Sequence, residues 1–328
     1  MYVELVSKLN IAKKDALNNL LDRAGLSPDY AGGTTALLWD DGTLIATGTL
    51  DGNLIKCVAV DKMHQGEGHT ATIVTGLRKE AFAKGINHLF LYTKPENRTM
   101  FSDLFFYPVA CTDKVLLMED RKEGINNFLS QFPSESASEK VGAVVMNCNP
   151  FTLGHQYLIE TALKSCDKLY VFVVTEDKSR FSAEARMEMV RRGTGHLAGV
   201  TVLPTGPYMV SSVTFPTYFL KERDRALEVQ CHLDIEIFLK YFAPKFGITH
   251  RFVGTEPVSP MTNQYNEALK EQLPAKGIVL KEIPRLEIGD MPVSASRVRE
   301  LIDTKDIETL KKLVPHTTYN FLIENNLI

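Results

Sequence analysis

The sequence has few cysteines, no excess of basic residues and no long apolar run. Its five cysteines are widely spread and include no Cys-x-x-Cys pair, which argues against a zinc site or a disulfide framework and suits a reducing compartment. The formal charge of −3 offers no basic surface, so we expect no nucleic-acid partner. No apolar run approaches the ~18 residues of a membrane-spanning helix. Because the first twenty residues also carry several charges, we expect no signal peptide, no membrane partner and a cytoplasmic location.

The length and composition indicate two globular domains. The chain has 328 residues, of which 44% are hydrophobic and 23% are charged, and it is long enough for two domains with separate cores. The segment Phe132–Lys140 is rich in small and polar residues and has no periodicity. We therefore predict a first domain at 1–131, a linker at 132–140 and a second domain at 141–328.

The first domain is predicted to contain an antiparallel meander with helices. Turns rich in Asp, Gly and Asn separate three short β-type runs, as in hairpins. Seven segments have recognisable patterns: helices at 10–24, 71–84 and 119–131, and strands at 35–39, 44–50, 54–60 and 88–93.

A glycine-rich loop joins the third strand to the second helix. Its glycines would allow backbone N–H groups to face a pyrophosphate, although an ordinary glycine-rich turn explains the pattern equally well. Together with the strand and helix order, this loop resembles that of the GNAT acetyltransferase family, which holds the pyrophosphate of acetyl-CoA. The chain departs from that family at two positions. Thr70 stands where the family prefers Gly or Ala, and Phe101 stands near the position where many members have a Tyr that protonates the leaving thiolate. The resemblance therefore implies a site for a CoA-like arm, formed by Gln65, Gly66, Gly68 and His69.

The second domain is predicted to be a doubly wound parallel sheet, so that the whole chain is α/β with two different sheets. It opens with a buried strand at 141–146, a turn containing Asn-Pro, and a helix at 156–163. Strands and helices then alternate. The predicted strands lie at 169–175, 200–203, 251–253 and 278–283, and the helices at 182–192, 227–242, 263–272 and from 293 onward. The hydroxyl-rich segment 208–215 is predicted to line a pocket.

Two short motifs of the second domain point to nucleotide chemistry. Thr152-x-Gly154-His155 follows the first strand, and Val293-Ser294-x-Ser296-x-x-Arg299 opens a late helix. Helix N-termini after parallel strands bind anions, and donors placed there stabilise charge on phosphate oxygens. Each residue also has a purely structural reading: the histidine and serines as helix caps, the arginine as part of a solvated helix face.

The order and separation of the motifs resemble the paired signature of the nucleotidylyltransferase superfamily, which is related to class I aminoacyl-tRNA synthetases. The resemblance implies six catalytic residues: Thr152, His155, Lys178, Ser294, Ser296 and Arg299. It also implies six ATP-binding residues: Asn149, Phe151, Gly154, Arg186, Gly254 and Glu256. Lys178 could equally be an ordinary loop lysine. The motifs contain no carboxylate cluster, so no metal-binding residue is predicted.

The combination of both domains resembles the [citrate (pro-3S)-lyase] ligase family. Three further segments contribute to this resemblance: Ser211–Pro216, Gly254–Pro257 and Asn263–Asn266. It implies that acetate reacts with ATP, in the presence of Mg²⁺, to give acetyl adenylate and pyrophosphate. It further implies that the acetyl group passes to the thiol of the CoA-like prosthetic group on the acyl carrier subunit of citrate lyase. Two alternatives are an adenylyltransferase acting on a phosphate-bearing cofactor precursor and a non-catalytic protein that senses CoA.

Overall fold

The computed structural model describes residues 1–133, 140–175, 179–209, 223–255, 260–289 and 291–328. Its contacts group the chain into two compact units: Met1–Asn127 with Phe215–Glu236, and Phe128–Thr214 with Ile237–Ile328. The assignment of Phe215–Glu236 to the first unit was not expected from the sequence. The predicted linker at 132–140 stays a prediction, because residues 134–139 lie outside the described ranges.

The first unit is built on a seven-stranded mixed sheet with the order β1-β2-β3-β4-β5-β7-β6. Its strands are β1 (Tyr2–Val6), β2 (Thr34–Asp40), β3 (Thr43–Asp51), β4 (Leu54–Val60), β5 (Phe90–Thr93), β6 (Tyr107–Cys111) and β7 (Leu116–Glu119). Its helices include α1 (Ile11–Arg23), α2 (His69–Ala83) and α3 (Arg98–Ser102), and α4 (Gly124–Ser130) follows β7. Every pairing is antiparallel except that of β4 with β5. The predicted meander of β2, β3 and β4 is confirmed.

The parallel pairing of β4 and β5 is short. Register partners are limited to Leu54 with Phe90 and Ile55 with Leu91, although β4 continues to Val60. Beyond these pairs, the second half of β4 has no register partner on β5. A cavity is lined by residues of both strands in this region.

The predicted helix at 119–131 is wrong in its first part. Residues 116–119 form β7, and the helix begins only at Gly124. Four successive apolar residues from Val115 are buried, which suits a strand that pairs on both sides. Glu119 then accepts a hydrogen bond from the backbone N–H of Ile125 at 3.1 Å, so it ends the strand and supports the start of α4.

The second unit contains a five-stranded parallel sheet with the order β10-β9-β8-β11-β12. Its strands are β8 (Val141–Met146), β9 (Lys168–Val173), β10 (Val200–Pro204), β11 (His250–Gly254) and β12 (Val279–Ile283), followed by the hairpin β13 (Glu287–Ile288) and β14 (Met291–Pro292). Its helices are α5 (Leu153–Leu163), α6 (Ala183–Thr194), α8 (Ala243–Phe246), α9 (Pro260–Ala275), α10 (Ala295–Asp303), α11 (Ile307–Lys311) and α12 (His316–Glu324), whereas α7 (Arg223–Ile237) belongs to the first unit except for its last residue. This order confirms the predicted doubly wound parallel sheet.

The strand order reverses between β8 and β11. From β8 the chain proceeds to β9 and β10 on one side, and later to β11 and β12 on the other. Ligands of open α/β sheets bind outside the carboxyl ends of the strands at such a reversal. Helix α5 begins immediately after β8 at this edge, so its first turn lies at the expected ligand site.

Candidate active site

The turn after β8 orients the first motif by burying an aromatic ring. Cys148 has a φ of 52°, and the peptide bond between Asn149 and Pro150 is cis. Phe151 is completely buried and lies against Gly193, where an added Cβ would come within 2.3 Å of the ring. Phe151 was predicted to bind ATP; its burial favours a role in holding the turn.

His155 takes part in a capping box at the start of α5. The Thr152 backbone N–H donates to Nδ1 of His155 at 3.0 Å, and the hydroxyl of Thr152 lies 2.9 Å from the same nitrogen. In return, the Thr152 hydroxyl accepts the backbone N–H of His155 at 3.4 Å. Because Nδ1 accepts a hydrogen bond from an amide, the proton of the neutral ring is on Nε2. His155 therefore presents an N–H donor on the side away from its cap.

The imidazole of His155 is neutral at pH 7. Its ring stacks on Phe151, with centroids 5.9 Å apart and planes inclined by 15°. Burial, followed by the positive charge of Arg285, lowers the pKa of His155 to about 4. The cap of α5 thus combines a fixed tautomer with a fixed protonation state.

Gly154 allows the two motifs to meet. A Cβ at Gly154 would lie 3.1 Å from the carbonyl oxygen of Val293, which is closer than ordinary van der Waals contact. Val293 directly precedes Ser294, the N-cap of α10, whose hydroxyl accepts the backbone N–H of Arg297 at 3.2 Å. We predicted that Gly154 would admit an anion; in the structure its missing side chain admits the second motif.

Arg299 connects α10 to the turn after β8. Its Nη1 donates to the carbonyl oxygen of Asn149 at 2.6 Å, and its Nη2 donates to the hydroxyl of Ser296 at 3.0 Å. The side-chain oxygen of Asn149 accepts the backbone N–H of Phe181 at 3.2 Å. Asn149, predicted to bind ATP, therefore links the first motif, the second motif and the loop before α6.

Arg186 is completely buried. Its Nε donates to the carbonyl of Phe181 at 3.1 Å. Its Nη1 donates to the carbonyl of Val174 at 2.5 Å and to the two oxygens of Asn147 at 3.0 and 2.6 Å. These contacts join the ends of β8 and β9, and the predicted contact of Arg186 with ATP stays a prediction.

Of three other predicted site residues, the structure describes only Gly254. Gly254 is the last residue of β11; its carbonyl accepts Nδ2 of Asn266 at 3.0 Å, and open space surrounds the position of a Cβ. Lys178 and Glu256 lie outside the described residues, and so does most of the predicted pocket-lining segment, from residue 210 onward.

Arg285 was not among the predicted site residues. It follows β12 by two residues and is partly buried. A basic residue just after the last predicted strand of a parallel sheet is a signal that could have identified it.

The predicted CoA-arm residues of the first unit all line one cavity of about 680 Å³. Gly66 and Gly68 have φ values of 86° and 81°, and open space surrounds both positions. Gly68 is the N-cap of α2 and provides no side-chain cap, so the first N–H groups of this helix receive no acceptor from it. His69 is buried, and its Nε2 lies 2.9 Å from a carboxylate oxygen of Glu67.

The described residues contain neither a candidate membrane span nor a candidate metal centre. No helix in these ranges combines the length and the apolar character needed to cross a bilayer. No group of three or more His, Cys, Asp or Glu side chains in them could hold a metal ion.

Comparison with known families assigns the chain to one of them. The sequence model described as "Citrate lyase ligase C-terminal domain" matches residues 141–322, which is more than half of the chain. The chain belongs to the citrate lyase ligase family. As a member of that family it is a ligase, so a purely non-catalytic function is not supported.

Relatives of the citrate lyase ligase family match along most of the chain. The [Citrate [pro-3S]-lyase] ligase of Klebsiella pneumoniae is 41% identical over 287 residues, covering 86% of this chain and 84% of the relative. That of Escherichia coli K12 is 40% identical over 289 residues, covering 86% and 82%. A shorter match of 68 residues, 40% identical, is to the phosphopantetheine adenylyltransferase of Streptococcus sanguinis, covering 20% of this chain and 42% of that protein.

Proposed function

We propose that this member of the citrate lyase ligase family activates acetate with ATP and then acetylates a thiol on citrate lyase. The observation that carries the proposal is the meeting of the two motifs at the carboxyl edge of the parallel sheet. Gly154 lies against the carbonyl of Val293, and Arg299 binds the carbonyl of Asn149. Donors from two helix N-termini therefore converge where an anion is expected.

In the first step, a carboxylate oxygen of acetate attacks the α-phosphorus of ATP. The bond from that phosphorus to the oxygen bridging to the β-phosphate breaks, and pyrophosphate leaves with the electron pair. A carboxylate is already deprotonated at neutral pH, so the step needs no general base. The protein's task is to position both reactants and to stabilise charge on the phosphate oxygens.

The donors proposed for that charge are the Nε2–H of His155, the side chains of Ser294 and Ser296, and the guanidinium of Arg299. The neutral state of His155 suits this role, because the ring donates a hydrogen bond without having to lose or gain a proton. Thr152 holds the ring in the required tautomer. Lys178 and Glu256 belong to the same proposal on the basis of the sequence alone.

Mg²⁺ is the expected companion of the triphosphate. The described residues contain no cluster of metal-binding side chains, so the phosphates and water would supply most of its ligands. Its chemical contribution would be to neutralise charge on the phosphates.

In the second step, the sulfur of a thiol attacks the acyl carbon of acetyl adenylate. The carbon–oxygen bond to AMP breaks, a thioester forms, and the thiol proton passes to solvent. We propose that the thiol belongs to the CoA-like prosthetic group on the acyl carrier subunit of citrate lyase, since the relatives are named as ligases of that enzyme. The cavity beside Gly66 and Gly68 supports binding of its phosphate-bearing arm.

The test is exchange of labelled pyrophosphate into ATP by the full chain. Exchange that requires acetate supports carboxylate activation. The short match to a phosphopantetheine adenylyltransferase keeps one alternative, in which AMP is joined to a phosphate-bearing precursor. Exchange that requires phosphopantetheine and ignores acetate would favour that alternative.

A further inference from the structure

Arg285 is held at the carboxyl edge of the parallel sheet by the end of the neighbouring strand. Its Nε donates to the backbone carbonyl of Thr255 at 2.9 Å, and its backbone N–H donates to the hydroxyl of Thr255 at 3.3 Å. Thr255 directly follows β11, so two hydrogen bonds join Arg285 to the strand beside the order reversal. The bond from Nε restricts the plane of the guanidinium.

Backbone contacts connect Arg285 to the first motif. The carbonyl of its neighbour Leu286 accepts the backbone N–H of Val293 at 2.9 Å. The carbonyl of Val293 in turn lies against Gly154, which precedes His155. The positive charge of Arg285 is also one of the two causes of the low pKa of His155, which places both groups in one electrostatic environment.

We infer that Arg285 binds the triphosphate of ATP on the side of His155. The inference rests on the proposed function and assigns to the same site a charged contact outside the two motifs. A neutral His155 donates a hydrogen bond but brings no positive charge, whereas the leaving pyrophosphate gains negative charge. A guanidinium supplies a permanent charge and a fork of donors that matches phosphate oxygens.

The position of Arg285 favours the phosphates over the acetate carboxylate. The backbone hydrogen bond between Leu286 and Val293 places Arg285 near the start of α10. That helix carries the serines and the arginine proposed to bind the triphosphate. Arg285 therefore lies beside the groups assigned to the triphosphate, and a contact with acetate would require the carboxylate to lie among them.

The experiment measures equilibrium binding of ATP, inorganic pyrophosphate and adenosine to the full chain and to three variants. Arg285→Gln removes the charge, Arg285→Lys keeps it without the fork, and Arg297→Gln is the matched control. Arg297 is exposed and pairs with Glu300 on the same helix as the motif. We expect Arg285→Gln to weaken ATP and pyrophosphate about tenfold or more, with adenosine binding within about twofold of wild type. Arg285→Lys should be intermediate, and the control should match wild type.

An equal loss of ATP and adenosine binding in both Arg285 variants would overturn the inference, because it would mean that Arg285 only holds the Thr255 segment. Unchanged ATP and pyrophosphate binding, with a raised KM for acetate alone, would overturn it in favour of a carboxylate contact. If Arg285→Gln does not fold, the comparison of Arg285→Lys with wild type decides.

The same measurements separate this inference from the proposed function. Binding is measured without acetate, so a wild-type chain that binds ATP through Arg285 but lacks acetate-dependent exchange would refute the function alone. A wild type that exchanges, with Arg285 variants that bind ATP and pyrophosphate normally, would refute the inference alone.

Discussion

Replacement of His155 by asparagine should separate the two roles of this residue. In the structure Nδ1 accepts the Thr152 N–H, and Nε2 carries the donor. The side-chain oxygen of asparagine is attached to Cγ, as Nδ1 is, so it can retain the cap. Asparagine has no group at the position of Nε2, so the proposed donor to the phosphate is lost.

The expected magnitudes differ between activity and stability. Loss of one preorganised donor to developing charge costs ~2.7–4 kcal/mol in the barrier, or about 10²–10³ in rate. His155→Asn should therefore lower acetate-dependent exchange by about that factor while its free energy of unfolding stays within ~1 kcal/mol of wild type. His155→Ala removes both groups and leaves the buried Thr152 N–H without its acceptor, so it should also lose ~1–2 kcal/mol of stability.

The assays are pyrophosphate exchange and denaturant unfolding, with His196→Asn as the matched control. His196 is exposed, and its Nε2 lies 3.7 Å from a carboxylate oxygen of Glu160 in the second half of α5. Exchange by His155→Asn within about threefold of wild type would refute the donor role of His155. Equal stability of the alanine and asparagine variants would refute its capping role, because then the capping hydrogen bond contributes nothing.

The low pKa of His155 predicts a pH dependence of stability. Burial and Arg285 lower the folded-state pKa to about 4, whereas an unfolded histidine titrates near ~6.5. Between these two pH values the unfolded chain binds the proton more readily than the folded chain does. The contribution of the neutral His155 ring to the free energy of unfolding is therefore complete above pH ~6.5 and is lost as the pH falls toward about 4. His155→Asn should lose less stability than wild type between pH 7 and pH 4.5. An NMR titration that places the ring pKa at its ordinary value would contradict the assignment.

Three further predictions concern the two motifs and the glycine loop. Gly154→Ala should displace the Val293 carbonyl by a few tenths of an ångström and lower exchange roughly tenfold; full activity would mean that the contact is not needed. Arg299→Lys should lower exchange about 100-fold or more, because an ammonium cannot reproduce the fork; near-normal exchange would reduce Arg299 to a point charge. Gly68→Asn tolerates the positive φ but fills the open space, so it should impair acetyl transfer to the carrier thiol and leave exchange unchanged. Normal transfer in that variant would remove the glycine loop from the second step.

Strong periodicity made much of the fold predictable. The first strand of the second unit has the predicted limits, Val141–Met146, because a run buried on both faces has few other structures available. The helix predicted at 182–192 corresponds to α6, and Ser182 is its N-cap, since its hydroxyl accepts the backbone N–H of Ala185 at 3.2 Å. Capping residues and long apolar runs are local signals, so the elements they predict form whatever segments pack against them.

Elements with weak local signals were missed. Strand β1 is an edge strand whose side chains are mostly exposed or half-buried, so its sequence has no core-facing alternation to detect. The helix predicted from Glu119 begins only at Gly124, because Glu119 still belongs to β7, which pairs on both sides. Pairing across a sheet depends on distant segments, which local patterns do not contain.

The two motifs predicted candidate residues of the site but not the contacts that these residues make. Thr152, His155, Ser294 and Arg299 were candidates from the sequence, yet the sequence could not tell which partner each one binds. Arg186 illustrates the difference, because an arginine in a helix looks the same whether its guanidinium meets phosphate or backbone carbonyls. Arg285 was missed because its position depends on Thr255, thirty residues earlier.

The most direct test of the account is the exchange of labelled pyrophosphate into ATP by the full wild-type chain, measured with and without acetate. The account predicts exchange that depends on acetate and on ATP, with AMP released only after a thiol acceptor is added. Absence of exchange with acetate, or exchange at the same rate without any carboxylate, would contradict the central claim that this site forms acetyl adenylate.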